Sequence, residues 1–249
     1  MLTKSLFGFV FTLLLSTTLT AFAQNSNPQI NTIGIYGDSH TITKGNHQKD
    51  VYQLGKLLAQ SQKKLIVDGQ TEGLSGKFLQ GAYESKGNIE IVTTPAQYHK
   101  NCPQTHFCQH IPYELTKTPE LAQEKRTDSA DMYVILPGGL DSLTTFSDLI
   151  ALQKQLKENP KEWAKKSQKS DASTNGLNES EYRSNQKTKP IILLNSNHYF
   201  DNLRNQLSEM KRQNVISDSD VDFIGFAEKP KEVLPLAQKL INQPSKVNF

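Results

Sequence analysis

The sequence predicts an α/β fold, a Rossmann-like doubly wound parallel sheet in three α/β/α layers built as a single domain. Three observations lead there. Short runs of apolar, mostly β-branched residues recur along the chain. Stretches with helical spacing of apolar residues separate them. Several of the apolar runs end in glycine-containing turns. Strands alternating with helices imply parallel pairing, with helices covering both faces of the sheet.

Thr32–Tyr36 (TIGIY) is the first predicted strand and runs into Gly37. Val51–Gln60 follows as a helix, because Val51, Leu54, Leu57 and Leu58 fall on one face at 3.6-residue spacing. Leu65–Val67 is a second strand, ending at Asp68-Gly69, and Gly73–Tyr83 a second helix. Ile89–Thr93 is a third strand. Asp131–Leu136 is a fourth, ending at Pro137-Gly138-Gly139, and Ser142–Leu156 is the helix after it. Ile191–Leu194, helix Tyr199–Gln213, strand Val221–Phe226 and helix Pro230–Asn242 complete the alternation. Ligands of such sheets lie outside the carboxyl ends of the strands.

Residues 1–23 read as a cleavable signal peptide. Lys4 precedes the apolar run Leu6–Leu15, and Ala21-Phe22-Ala23 offers small residues at both positions that signal peptidase reads. Ser16, Thr17, Thr18 and Thr20 interrupt the run, which is shorter than the ~20 residues a spanning helix needs. Residues 24–249 would then be a domain in the periplasm or outside the cell, with no membrane attachment after cleavage. Lys and Arg number 28 against 25 Asp and Glu, scattered along the chain, which argues against nucleic acid as a partner.

The two cysteines, Cys102 and Cys108, lie in a polar stretch. In an oxidising compartment a close pair points to a disulfide. His99, His106 and His110 surround them at zinc-like density, which leaves a metal reading open, although the spacing fits no known structural zinc pattern. Residues 157–189 are almost wholly polar and too poor in apolar residues to offset the entropy of ordering. They read as a disordered surface insertion, or as a lid anchored by Trp163.

Four blocks carry a family resemblance: IGIYGDSH at 33–40, LIVDGQTEGLSG at 65–76, ADMYVILPGGLDSLTTF at 130–146 and KPIILLNSNHYFDNL at 189–203. In this order they resemble the Lonely Guy family, whose members long carried the label lysine decarboxylase. The resemblance implies a homodimer that hydrolyses the N-glycosidic bond of nucleoside 5′-monophosphates such as cytokinin ribotides, with no cofactor and no metal. It assigns ligand contacts to Gly37, Asp38, Ser39, Asp68, Gly69, Thr71, Gly73, Gly138, Gly139, Asp141 and Ser142. Glycine turns at strand ends let backbone N–H groups approach a phosphate at helix amino ends.

The chain departs from the pattern at the reacting groups. The glutamate of the P-G-G-x-G-T-x-x-E motif is Thr145 here, and its third glycine is Asp141. The upstream arginine falls on Ala122, with Arg126 the nearest substitute. A neutral hydroxyl does not replace a carboxylate as acid or base at neutral pH. Arg126 and Thr145 are therefore weak catalytic candidates, and the resemblance points to a degenerate site that binds a small molecule, of nucleotide type, with weak or no hydrolysis. Asp38, Asp68 and Asp141 all follow predicted strands. They read either as helix N-caps or as an acidic crevice for a cation or basic ligand.

A different enzyme class competes. IGIYGDSHT also resembles the first block of GDSL-type ester hydrolases, with Ser39 as nucleophile. Leu140 stands where that family needs Asn, and none of the six histidines has Asp three residues before it. A serine without a base is not activated. A third reading is a binding module without catalysis.

The export reading is checked by intact mass. The protein recovered outside the cytoplasm should begin at Gln24, and a retained amino terminus would overturn it.

Overall fold

A computed structural model describes residues 29–38, 46–102, 107–158 and 188–242. The signal peptide, Ser39, His106 and most of the polar insertion lie outside those residues.

Seven parallel strands form one sheet: β1 Thr32–Tyr36, β2 Lys64–Val67, β3 Asn88–Thr93, β4 Tyr113–Leu115, β5 Met132–Ile135, β6 Ile191–Leu194 and β7 Ile224–Ala227. Their order across the sheet is β4-β3-β2-β1-β5-β6-β7, and every pair is parallel. The helices are α1 His47–Gln60, α2 Gly73–Glu84, α3 Pro95–Asn101, α4 Pro119–Ser129, α5 Leu140–Glu158, α6 Asp201–Arg212 and α7 Val233–Asn242. The expected doubly wound three-layer architecture is therefore present.

Strand alternation divides the core into two layers. Ile33, Ile35, Met132, Val134, Ile192 and Leu194 point to one face and pack with α1, α2 and α7. Tyr36, Tyr133, Ile135, Ile191 and Leu193 point to the other and meet Phe146 and Leu149 of α5 and Phe200 and Leu207 around α6. Ala122 of α4 joins that second face against Ile66 and Val92. Both faces of the central strands are apolar because both are covered, as all-parallel sheets require. Among the described residues no helix is long and apolar enough to cross a membrane.

Several boundaries differ from expectation. Helix α1 begins at His47 rather than Val51, because its first turn carries mostly polar residues that periodicity does not register. The last strand is Ile224–Ala227, not Val221–Phe226, because Asp218–Asp220 forms a 3₁₀ turn and Val221 closes it by donating its N–H to the Asp218 carbonyl. Helix α4 is absent from the sequence expectation. Its sequence PELAQEKRTDS buries only Ala122 and Thr127, so it shows no apolar stripe. Its start is nonetheless marked: Thr118 accepts from the Leu121 N–H and a proline follows. Edge strand β4 and helix α3, capped by Thr94, lie in the same unread stretch.

Cys102 and Cys108 are joined in a disulfide with Cα atoms 5.1 Å apart. It ties the end of α3 to the 3₁₀ turn Cys108–His110, and both cysteines are buried while His99 and His110 are exposed. The polar insertion is shorter than expected, because α5 continues through Glu158. Lys157 donates from Nζ to the Ser219 carbonyl at 2.5 Å and to Asp222 at 2.8 Å. Where the chain returns, the Lys189 N–H donates to Gln153 Oε1 at 2.8 Å.

Helices α1 and α2 meet backbone to backbone. A Cβ on Gly55 of α1 would stand 2.2 Å from the Phe78 carbonyl oxygen, and one on Gly81 of α2 would stand 2.1 Å from that of Tyr52. Neither neighbour is a side chain that can swing aside. Gly55→Ala should therefore force α1 and α2 apart and lower the unfolding free energy by about 1–3 kcal/mol, read from the denaturation midpoint. An unchanged midpoint would refute the close packing.

Candidate functional site

The strand order runs outward in both directions from β1 and β5. Such a topological switch point opens a crevice beyond the carboxyl ends of the strands. Five of the sequence candidates meet there: Gly37 and Asp38 after β1, and Gly138, Gly139 and Ser142 after β5.

Asp38 is buried, 3% exposed, and its Oδ2 accepts the Gly139 N–H at 2.8 Å. Gly139 directly precedes the first residue of α5. Asp38 thus supplies an anion to the amino end of a helix that follows it by 101 positions in the chain. The glycines make this approach feasible. A Cβ on Gly138 would stand 2.1 Å from Ser142 Oγ and 3.1 Å from Asp38 Cβ, and one on Gly139 would stand 2.9 Å from Asp38 Oδ2. On the other side of the turn, a Cβ on Gly37 would meet Ser75 Oγ of α2 at 2.5 Å. Ser142 is 1% exposed, and its hydroxyl has no hydrogen-bond partner among the described residues.

Three residues that the sequence reading left out complete this centre. Tyr199 donates its hydroxyl to the Gly138 carbonyl at 2.5 Å. Burial pushes that hydroxyl above its ordinary range, and the Asp38 charge adds to the shift. The His47 ring stands edge-on to Tyr199 at 5.5 Å, with Nδ1 3.3 Å from Ser196 Oγ. Burial lowers the His47 imidazole pKa, and Asp50 opposes that shift.

A second group lies at the ends of β1, β2 and β3. Arg126 reaches up from α4, donates Nη1 to the Val92 carbonyl at 2.7 Å and stacks 6.0 Å from the Tyr36 ring centre. Its Nε is buried without a partner among the described residues. Burial raises the Asp68 carboxyl pKa, and the Arg126 guanidinium opposes the shift. Burial also pushes the Tyr36 hydroxyl up to about 12, against the hydrogen bond it shares with Thr127 at 2.9 Å. Arg126 thus lies at the strand ends, while Ala122, where the family arginine would fall, is buried against Ile66 and Val92.

The remaining candidates separate. Gly69 and Gly73 adopt φ of 82° and 61°, which glycine tolerates and other residues resist. The Thr71 hydroxyl is spent on the Asn101 carbonyl at 2.9 Å. Asp141 lies exposed in the first turn of α5, and Thr145 is partly buried one turn further along. The N-cap reading is corrected for Asp68 and Asp141. Asp38 accepts from the Gly139 N–H just before α5, Asp68 closes an Asx turn onto the Gln70 N–H at 3.0 Å, and Asp141 is inside its helix rather than at its cap.

A third cluster follows β6 and β7. Asn195 is fully buried. Its Oδ1 accepts the Phe200 N–H at 2.6 Å, while Nδ2 donates to Asp201 at 2.7 Å and Glu228 at 3.0 Å. Arg204 bridges the same two carboxylates at 2.6 and 2.7 Å. The Asn195 amide, then Arg204 and His198, hold the Asp201 carboxyl below its usual range. His198, Asp201 and Glu228 bring ligand atoms within 4.8 Å of one another, as a metal site would. Arg204 already balances those carboxylates. The signal for this cluster lay in the fourth block, where Asn195, Tyr199 and Asp201 each match the family letters.

Comparison with known proteins agrees with this picture. The family described as possible lysine decarboxylase matches residues 178–236. No curated protein sequence matches. The molybdenum cofactor binding protein of the phototrophic bacterium Rippkaea orientalis has a TM-score of 0.51 at 19% identity, over 86% of this chain and 98% of its own. A molybdenum cofactor carrier protein of Chlamydomonas reinhardtii has a TM-score of 0.53 at 15% identity, over 86% and 99%. At such identities the likeness establishes the fold.

Asn195→Ala would leave the Phe200 N–H and two carboxylates short of a partner. It should cost about 1–3 kcal/mol of stability, measured by chemical denaturation. A cost near zero would mean that water replaces the amide and that Asn195 does not organise this corner. The match over residues 178–236 supports a divergent Lonely Guy-like protein, and the solved structures show the fold it shares.

Proposed function

We propose that this is an exported Lonely Guy-like protein that binds a small molecule at the carboxyl edge of its sheet and hydrolyses N-glycosidic bonds weakly or not at all. The observation that carries the reading is the bond from the Gly139 N–H to Asp38. The donor that a phosphate would use is engaged by a carboxylate of the chain itself. Thr145 supports the same conclusion, because it offers no carboxylate to the departing base. Arg126 is the one family-like charged group at the strand ends, and it faces Asp68 and Tyr36. The solved structures named for binding or carrying the molybdenum cofactor support a small-molecule role on this fold. The family resemblance extends the reading to a homodimer.

Loss of a group that acts in the transition state typically costs about 10²–10⁴ in rate. Purified protein should therefore release no measurable base from AMP or cytokinin ribotides. Thr145→Glu alone should not restore release, because the helix amino end remains occupied by acid. The Thr145→Glu, Asp141→Gly double variant serves as a second arm. Robust turnover by the wild type would overturn the degenerate-site reading and make Arg126 the first residue to mutate.

A further inference from the structure

The amino end of α5 has the properties of an anion site. The helix is 19 residues long, and its unpaired N–H groups and aligned dipoles favour negative charge at that end. A glycine pair lets the backbone be approached closely. What distinguishes this chain is that the negative charge is already present. Asp38 arrives from β1, is 3% exposed, and accepts the Gly139 N–H. A residue that only capped the helix would more simply stand at position 139 itself. A Cβ there would instead stand 2.9 Å from Asp38 Oδ2, and the carboxylate would have to shift. The turn is thus shaped around a carboxylate brought from across the switch point.

Ser142 is the independent sign that a ligand belongs here. Its hydroxyl is buried, has no partner among the described residues, and lies beneath the same turn, 2.1 Å from where a Gly138 Cβ would be. Buried hydroxyls of folded proteins are generally satisfied. One left open next to a helix amino end and a ligand crevice is a contact in waiting.

We propose that Asp38 is a built-in anion that occupies the phosphate position at the amino end of α5 and sets the charge preference of the crevice. It excludes phosphorylated ligands and admits uncharged ones of nucleoside or base type, with Ser142 as a polar contact. This rests on the ligand-binding reading above and specifies its substrate class. Like charges about 4 Å apart repel even when partly solvated. Asp38 and a ligand phosphate also compete for one donor, the Gly139 N–H.

The test is calorimetric titration of the exported full-length protein with inorganic phosphate, AMP and adenosine, using wild type, Asp38→Gly and Asp38→Asn. Wild type should bind adenosine at least tenfold more tightly than AMP and show no binding of phosphate. Asp38→Gly should gain at least tenfold for AMP and acquire measurable, salt-sensitive phosphate binding, which added Ser142→Ala should weaken. Should Asp38→Gly fail to fold, Asp38→Asn keeps the shape and removes the charge, and the gain for AMP and phosphate is required of it. Wild type that binds AMP or phosphate as tightly as the variants overturns the proposal. If wild type binds adenosine while no folded variant gains AMP or phosphate, the role of Asp38 falls and the ligand-binding reading survives. If no folded variant binds any of the three probes, both fall.

Discussion

A parallel sheet that winds outward in two directions leaves its two central strands, β1 and β5, without a connection between their carboxyl ends. The bond between Asp38 and the Gly139 N–H closes that gap. It fixes the turn after β1 against the turn after β5, and the surrounding residues follow from its geometry. Gly138 and Gly139 are needed so that the carboxylate can come close, Tyr199 holds the Gly138 carbonyl from the far side, and Ser142 is buried beneath the same turn. A buried carboxylate is tolerable only where hydrogen bonds and positive charge compensate its lost hydration. Here a helix amino end supplies both.

The same requirement recurs along the whole carboxyl edge. Asp68 after β2 has Arg126 beside it. Asp201 and Glu228, beyond β6 and β7, share Arg204 and the Asn195 amide. The edge is rich in carboxylates, yet Asp38, Asp68, Asp201 and Glu228 each have a local cationic or dipolar partner. At the His198 cluster Arg204 holds one oxygen of Asp201 and one of Glu228 at 2.6 and 2.7 Å, and His198 Nδ1 stands 3.1 and 3.9 Å from the other oxygen of each. Of the edge groups, the Ser142 hydroxyl and the Arg126 Nε have no partner among the described residues.

Much of the fold was legible in the sequence because the physics that makes a buried strand also marks it. TIGIY and IILL are apolar on both faces since both faces are covered, and β1 and β6 lie where those letters stand. Helix α4 was illegible for the converse reason. It contributes two small buried residues and nothing else to the core, so no period betrays it. Only the Thr-Pro start at 118–119 does, and that signal is short. For the site, the glycine turns and the departures at Thr145 and Asp141 could be read in line. The pairing of Asp38 with Gly139 could not, because spatial contact across 101 positions leaves no local trace. The cluster of buried His47 and Ser196 with the Tyr199 ring was hidden likewise: it joins the start of α1 to the turn after β6.

The glycines carry a further lesson about inference from motifs. In a nucleotide-binding fold, consecutive glycines after a strand are usually credited to a phosphate that must touch the backbone. Here close packing of side chains also bears on Gly138 and Gly139. Any side chain at the first would meet Ser142 Oγ, and any at the second would meet Asp38 Oδ2. The P-G-G turn would be held in place by internal packing even if no phosphate ever entered the crevice. Its presence is therefore evidence for the fold and for the closeness of β1 to β5, and it is neutral about the ligand. Ligand charge is decided by the groups that the turn presents, and in this chain the group presented is a carboxylate.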